Sequence, residues 1–110
     1  AKGGVHMMTC SLAIEFAPYG IRVNAVSPGL TDTQIWQDLQ DAAANREEAQ
    51  QHWFDNIPLG RVQSPREVAN VVLFLASPES SYITGAILRM DGGLALGGNT
   101  VPPFPTGILA

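Results

Sequence analysis

The chain has 110 residues, enough for one small domain, and 45% of them are hydrophobic, which suits a buried core and argues against disorder. Its formal charge is −4, with Lys and Arg scattered singly, so it offers no electrostatic footprint for nucleic acid or an anionic membrane. Cys10 is the single cysteine, which rules out an internal disulfide and leads to an expected reducing, cytoplasmic setting.

The first element is a helix over Val5 to Ala17. Its apolar residues form two stripes, Val5, Met8, Leu12 and Phe16 on one side and Met7, Cys10, Ile14 and Ala17 on nearly the opposite side. Surface helices ordinarily carry one stripe, so two predict a helix held between two partners. On this reading Cys10 is a small buried residue at a helix interface, and His6 is a packing or interface residue. Pro18 and Gly20 end the helix. The chain starts with Ala1 and runs straight into this pattern, which leads to an expectation of processing or truncation.

Ile21 to Ser27 reads as a buried strand, rich in β-branched and small residues, stopping at Pro28-Gly29. Near-continuous apolar strands belong to sheets covered on both faces. Ligands of parallel α/β sheets bind beyond the carboxyl ends of strands, so Ser27 to Thr33 is the expected ligand edge. Gln34 to Phe54 reads as helix with a polar, weakly periodic middle over Asp41 to Gln51. Ser64-Pro65-Arg66-Glu67 is a helix start: Ser at the N-cap, Pro at the first helical position, Glu placed to close a capping box. Val68, Val71, Val72 and Leu75 form its apolar face, and Ser77-Pro78 ends it. Ala86 to Met90 reads as a second buried strand closed by Asp91-Gly92-Gly93. Leu94 to Ala110 is expected to be irregular. The order helix-strand-helix-helix-strand, with two parallel strands joined by a helical crossover, is a βαβ unit of an α/β fold. No apolar run reaches transmembrane length. One cysteine and two scattered histidines make no metal constellation, and His52 is assigned no role.

In this order the motifs resemble the C-terminal half of a short-chain dehydrogenase/reductase. The matching pieces are Ala1-Lys2-Gly3-Gly4-Val5, the stretch from Ala13 to Asn24, Ser27-Pro28-Gly29 with Thr33, and Ile57-Pro58-Leu59-Gly60-Arg61. They continue with Pro65 to Ala69, Phe74 to Ser77, Ser80 to Gly85 and Asp91-Gly92-Gly93. The resemblance covers residues 1–93 and implies one Rossmann-like, doubly wound parallel-sheet domain of which residues 1–110 are the C-terminal portion, with 94–110 as a tail. It implies an oxidoreductase that uses NAD or NADP and a small-molecule carbonyl or secondary alcohol, working as a homo-oligomer, a dimer or tetramer, and with a separate chain carrying the N-terminal half as a further partner. The Pro-Leu-Gly-Arg and Thr-Gly pieces are similar to those of 3-oxoacyl-carrier-protein reductases and of sugar or polyol dehydrogenases, and do not choose between them.

The resemblance also implies residue roles. Lys2 is the family's catalytic lysine, which binds the nicotinamide ribose and lowers the pKa of a Tyr four residues earlier. That Tyr, the catalytic Ser and the Gly-rich dinucleotide turn fall upstream of residue 1, so the 110-residue chain alone is expected to be inactive. Pro28, Gly29, Leu30 and Thr33 are the implied cofactor-binding residues, with Thr31 and Asp32 less certain. The segment from Gln34 to Phe54 is the implied substrate lid, where Trp36, Trp53 and Phe54 either line an apolar pocket or pack the lid down. Tyr19 and Tyr82 lack a Lys four residues on and are no substitutes for the missing Tyr. Two function classes follow: a catalytic portion of such an enzyme, or a non-catalytic oligomerisation fragment of one.

Overall fold

The computed structural model describes residues 2–96, with side chains from residue 3 onward. Its first element, α1 (Lys2–Phe16), passes into a 3₁₀ turn at Ala17–Tyr19. Gly20 stops it at φ 72°, with its N–H bonded to Ala17 O. That left-handed geometry strains residues with a Cβ.

The side of α1 that meets the rest of the chain is Thr9 and Ala13, both buried, flanked by half-buried His6, Leu12 and Phe16. This corrects the two-stripe expectation, because the inward face lies between the stripes. The contact is close: a Cβ on Gly85 would stand 3.5 Å from that of Ala13, ordinary packing distance, while the φ of 73° at Gly85 favours glycine. Val5, Met7, Met8 and Ile14 stay exposed, Ile14 at 78%. Cys10 is exposed rather than buried, with its thiol turned toward Gly85 O at 3.9 Å.

Strand β1 covers Ala25–Pro28 and β2 covers Ile87–Met90. They pair in parallel, Ala25 with Ile87 through Pro28 with Met90, as the βαβ reading requires. β1 begins four residues later than expected. The reason is chemical: over Val23 and Asn24, side-chain bonds replace part of the ladder. Asn24 Oδ1 accepts the Ala86 N–H and its Nδ2 donates to Ile83 O, while Val23 N–H bonds the Thr84 hydroxyl. β2 begins one residue later than expected for the same reason, since the Ala86 N–H is spent on Asn24.

Between the strands lie α2 (Gln34–Asp41), α3 (Arg46–Asn56) and α4 (Pro65–Ala76). The single helix expected from Gln34 to Phe54 is two. Asn45 adopts an extended backbone and caps α3 by accepting the Glu48 N–H on its side chain. An Asn cap competes well with helix continuation. The capping box of α4 is present in both directions between Ser64 and Glu67. Val68, Val71 and Leu75 are half-buried, but Val72 is exposed, so the α4 face is narrower than its spacing predicts. Leu94–Leu96 form a 3₁₀ turn after β2; the remainder of the expected irregular tail, 97–110, lies outside the described residues.

Apolar side chains stay exposed on α1 and on α4, where Leu73 is 69% exposed. The architecture is thus an α/β portion of a Rossmann-like parallel sheet, in the order helix-strand-helix-helix-helix-strand, one helix more than expected.

Candidate functional site

The carboxyl end of β1 turns into a loop over Gly29–Thr33. Gly29 N–H extends the ladder to Met90 O at 2.9 Å. A Cβ on Gly29 would stand 2.7 Å from both Cα and Cβ of Asp91, so this glycine is demanded by the close passage of the next strand's exit. The family resemblance implies a cofactor-binding role for Gly29; its smallness is already required by the chain itself.

Asp91 shapes the facing turn. Its carboxylate accepts the Gly93 and Ala95 N–H groups at 2.9 and 3.1 Å and lies 3.7 Å from Arg89. Burial works against its ionised form, but the bonds from Ala95 and Gly93 and the charge of Arg89 prevail and hold its pKa below the ordinary value. Gly92 and Gly93 then turn at φ 63° and 90°.

The loop is bound across its back by Gln63. Gln63 N–H bonds Leu30 O at 3.1 Å, and Asp32 N–H bonds Gln63 O at 2.7 Å. The side-chain Nε2 donates to Thr31 Oγ1 at 3.2 Å and to Met90 O at 3.0 Å. Thr31 passes its own proton to Gly29 O at 3.1 Å. Sequence reasoning missed Gln63. It sits in a connector with no periodicity, and its partners lie about 30 residues away on either side.

These bonds sort the loop hydroxyls. Thr31 has spent its proton on Gly29 O. Thr33 is the N-cap of α2 and accepts the Trp36 N–H at 3.4 Å, which leaves its proton free among the described residues, since a hydroxyl donates once and accepts twice. The Leu30 N–H has no acceptor among the described hydrogen bonds either. Pro28 is exposed at the strand end and has no N–H. Lys2 opens α1, and its side chain lies outside the described residues.

The segment expected as the substrate lid follows the loop directly. Trp36 is buried and meets Trp53 edge to face at 6.4 Å, while Phe54 is half-buried. Trp36 therefore packs α2 onto α3. Ile35 and Leu39, one turn apart on α2, are exposed. His52 meets the adjacent Trp53 edge to face at 5.8 Å. On the far side of the loop, a cavity of about 380 Å³ is lined by Leu30, Ile57, Leu59, Gln63, Val71 and Met90, among others. Arg61 and Glu67 close its polar rim with two bonds of 2.8 and 2.9 Å. The Arg61 bond and the Ser64 N–H lower the Glu67 pKa to about 2. Among the described residues no group of three His, Cys, Asp or Glu is arranged to hold a metal, and no helix is long and apolar enough to cross a membrane.

Residues 1–95 are similar to known proteins. A family model described as enoyl-(acyl carrier protein) reductase matches residues 1–95. The chain is 46% identical over 93 residues to a galactitol 2-dehydrogenase (L-tagatose-forming) of Cereibacter sphaeroides, covering 84% of this chain and 35% of the relative. It is 49% identical over 96 residues to a 3-oxoacyl-[acyl-carrier-protein] reductase of Thermotoga maritima, covering 87% and 37%. The NADPH-bound structure of a short-chain oxidoreductase from Pseudomonas aeruginosa, which has an atypical catalytic centre, superposes with a TM-score of 0.74 at 42% identity, covering 84% and 36%. The chain spans about a third of the length of the curated relatives it matches. On the strength of this match along nearly its whole described length, the chain belongs to the short-chain dehydrogenase/reductase family.

Proposed function

We propose that this chain supplies the nicotinamide-facing and substrate-facing part of a single-domain NAD- or NADP-dependent short-chain dehydrogenase/reductase acting on a small-molecule carbonyl or secondary alcohol. The observation that carries this reading is the loop Pro28 to Thr33. It stands at the carboxyl end of a parallel strand, where α/β sheets bind ligands. It is held from behind by Gln63 and leaves three donors uncommitted among the described residues, the Leu30 and Thr31 N–H groups and the Thr33 hydroxyl proton. Such donors suit the oxygen of a carboxamide, so the residues present fit a nicotinamide. When bound, that ring accepts or donates the hydride.

The chain's own residues then take these roles. Pro28, Gly29 and Leu30 set the backbone against which the carboxamide lies, and Thr33 donates to it. Lys2 is the catalytic and ribose-binding lysine. Its ammonium favours the ionised form of a Tyr four residues earlier in the family's order, whose phenol otherwise titrates near ~10, so that proton exchange at the substrate oxygen proceeds near neutral pH. Trp36, Trp53 and Phe54 hold the substrate lid together. Tyr, catalytic Ser and dinucleotide turn belong to the upstream part, so residues 1–110 by themselves turn over no NAD(P)H. The exposed apolar faces of α1 and α4 suit subunit contacts in a homo-oligomer.

Those same faces favour a second reading, a non-catalytic oligomerisation fragment. One experiment separates the two. In the full-length enzyme, Lys2→Ala is expected to lower NAD(P)H turnover by about 10²–10⁴-fold with the melting temperature and oligomer size unchanged. Turnover equal to wild type removes Lys2 from the chemistry, and absence of turnover in the full-length wild type favours the second reading.

A further inference from the structure

Gln63 joins three segments that are distant in sequence: the loop after β1, the connector before α4 and the exit of β2. Its backbone makes one pair of bonds, to Leu30 O and from Asp32 N–H. Its side chain makes a second pair, to Thr31 Oγ1 and Met90 O. A side-chain amide has two N–H donors, and both are used. The Thr31 hydroxyl carries the link onward to Gly29 O. The result is a continuous line of hydrogen bonds from Met90 O through Gln63 and Thr31 to Gly29 O.

We infer that Gln63 is a positioning residue that pre-orders the cofactor loop through the Thr31 hydroxyl. This rests on the reading of that loop as the nicotinamide-binding element, and specifies how the loop reaches its binding shape. The backbone pair alone fixes Leu30 and Asp32 at two points, as in any parallel bridge. The side-chain pair adds a restraint on the residue between them. It also anchors that residue to Met90 at the end of β2. A loop held in its bound shape avoids an ordering cost when ligand arrives. The side chain of Gln63 therefore acts on cofactor affinity, while the backbone pair, which survives any substitution, keeps the fold.

The division is testable in the full-length enzyme. Gln63→Met keeps length and volume but deletes both donors, and Thr31→Val deletes the hydroxyl that receives one of them. Each is expected to weaken NADH or NADPH binding about 3- to 10-fold, the worth of a hydrogen bond or two, with kcat at saturating cofactor within about twofold of wild type. Thr31→Ser, which keeps the hydroxyl, is expected to bind as wild type does. The double variant Gln63→Met/Thr31→Val is expected to bind no more weakly than the weaker single variant, because both remove one linkage. A general loss of structure would instead lower the melting temperature and the active fraction without raising the dissociation constant. Wild-type affinity in Gln63→Met, or additive effects in the double variant, overturns the inference and leaves the loop assignment standing. A full-length wild type that binds neither NADH nor NADPH overturns the loop assignment and this inference together.

Discussion

The loop after β1 and the lid that follows it are adjacent in sequence but are held by different forces. The loop is bound by a closed set of backbone and side-chain hydrogen bonds reaching Gln63, Met90 and Gly29, and Asp91 blocks any bulk at Gly29. The proposed lid, α2 and α3, is joined by an aromatic contact, Trp36 on Trp53, and by exposed polar links such as Gln37 to Asp32 and Arg46 to Asp41. Exposed ion pairs contribute little. The lid also buries Gln40 to 3% exposure with its Oε1 unpartnered among the described residues, which is costly. The contrast teaches that the loop after β1 is tied by many hydrogen bonds, while α2 and α3 are held by few, which is the pattern of a locally less stable element.

That contrast can be broken at several points in the full-length enzyme. The largest effect belongs to Trp36→Ala. Removing a buried Trp costs about 3–5 kcal/mol in a packed core, and here the loss should fall on the lid alone. Amide exchange in α2 and α3 should accelerate while β1, β2 and α4 keep their protection; equal loss across the sheet would show that lid and loop are one unit. Next comes Gly29→Ala. The new Cβ meets backbone and not a flexible tip, and overpacking of this kind costs about 1–3 kcal/mol. The urea midpoint should fall for the whole domain, with cofactor binding weakened as Asp91 is pushed away. Wild-type stability would mean the strand exits part freely.

The smallest effect is electrostatic. Glu67 titrates at about 2 when folded, below its unfolded value of ~4.3. A depressed carboxylate stabilises the fold above the unfolded pKa and loses that contribution as pH falls through the folded one. The melting-temperature gap between wild type and Glu67→Gln should therefore be present at about pH 6 and close between ~4.3 and ~2. Because Arg61 and Glu67 are exposed, added salt should narrow the gap at neutral pH. A gap that persists at pH ~2 would place the effect in the lost cap and not in the charge.

Much of this fold was legible because its punctuation is local. Ser64, Pro65 and Glu67 announce the start of α4 within four residues, and Gly20 closes the first helix in the conformation its type allows. The motif series from Lys2 to Gly93 carried the family, and with it the place of the ligand loop. The break at Asn45 was equally local, but it lay in a polar run where periodicity gives no warning of a cap. The inward face of α1 was misread because two exposed apolar stripes outshone the small pair, Thr9 and Ala13, that touches the chain.

What the sequence by itself determined is the order of strands and helices apart from the break between α2 and α3, the parallel βαβ connection and the family, since caps, turns and apolar spacing act within a few residues of one another. What only the tertiary structure decided is why particular residues stand where they do. Gly29 is small because Asp91 passes 62 positions later in the chain. Arg22 is charged within an apolar run because Leu75, Ser77 and Ile83 present their carbonyls to it. Gln63 matters because Thr31 and Met90 arrive on either side of it. These contacts join partners separated by dozens of residues, and nothing in the local pattern around either partner encodes the other until the two strands pair.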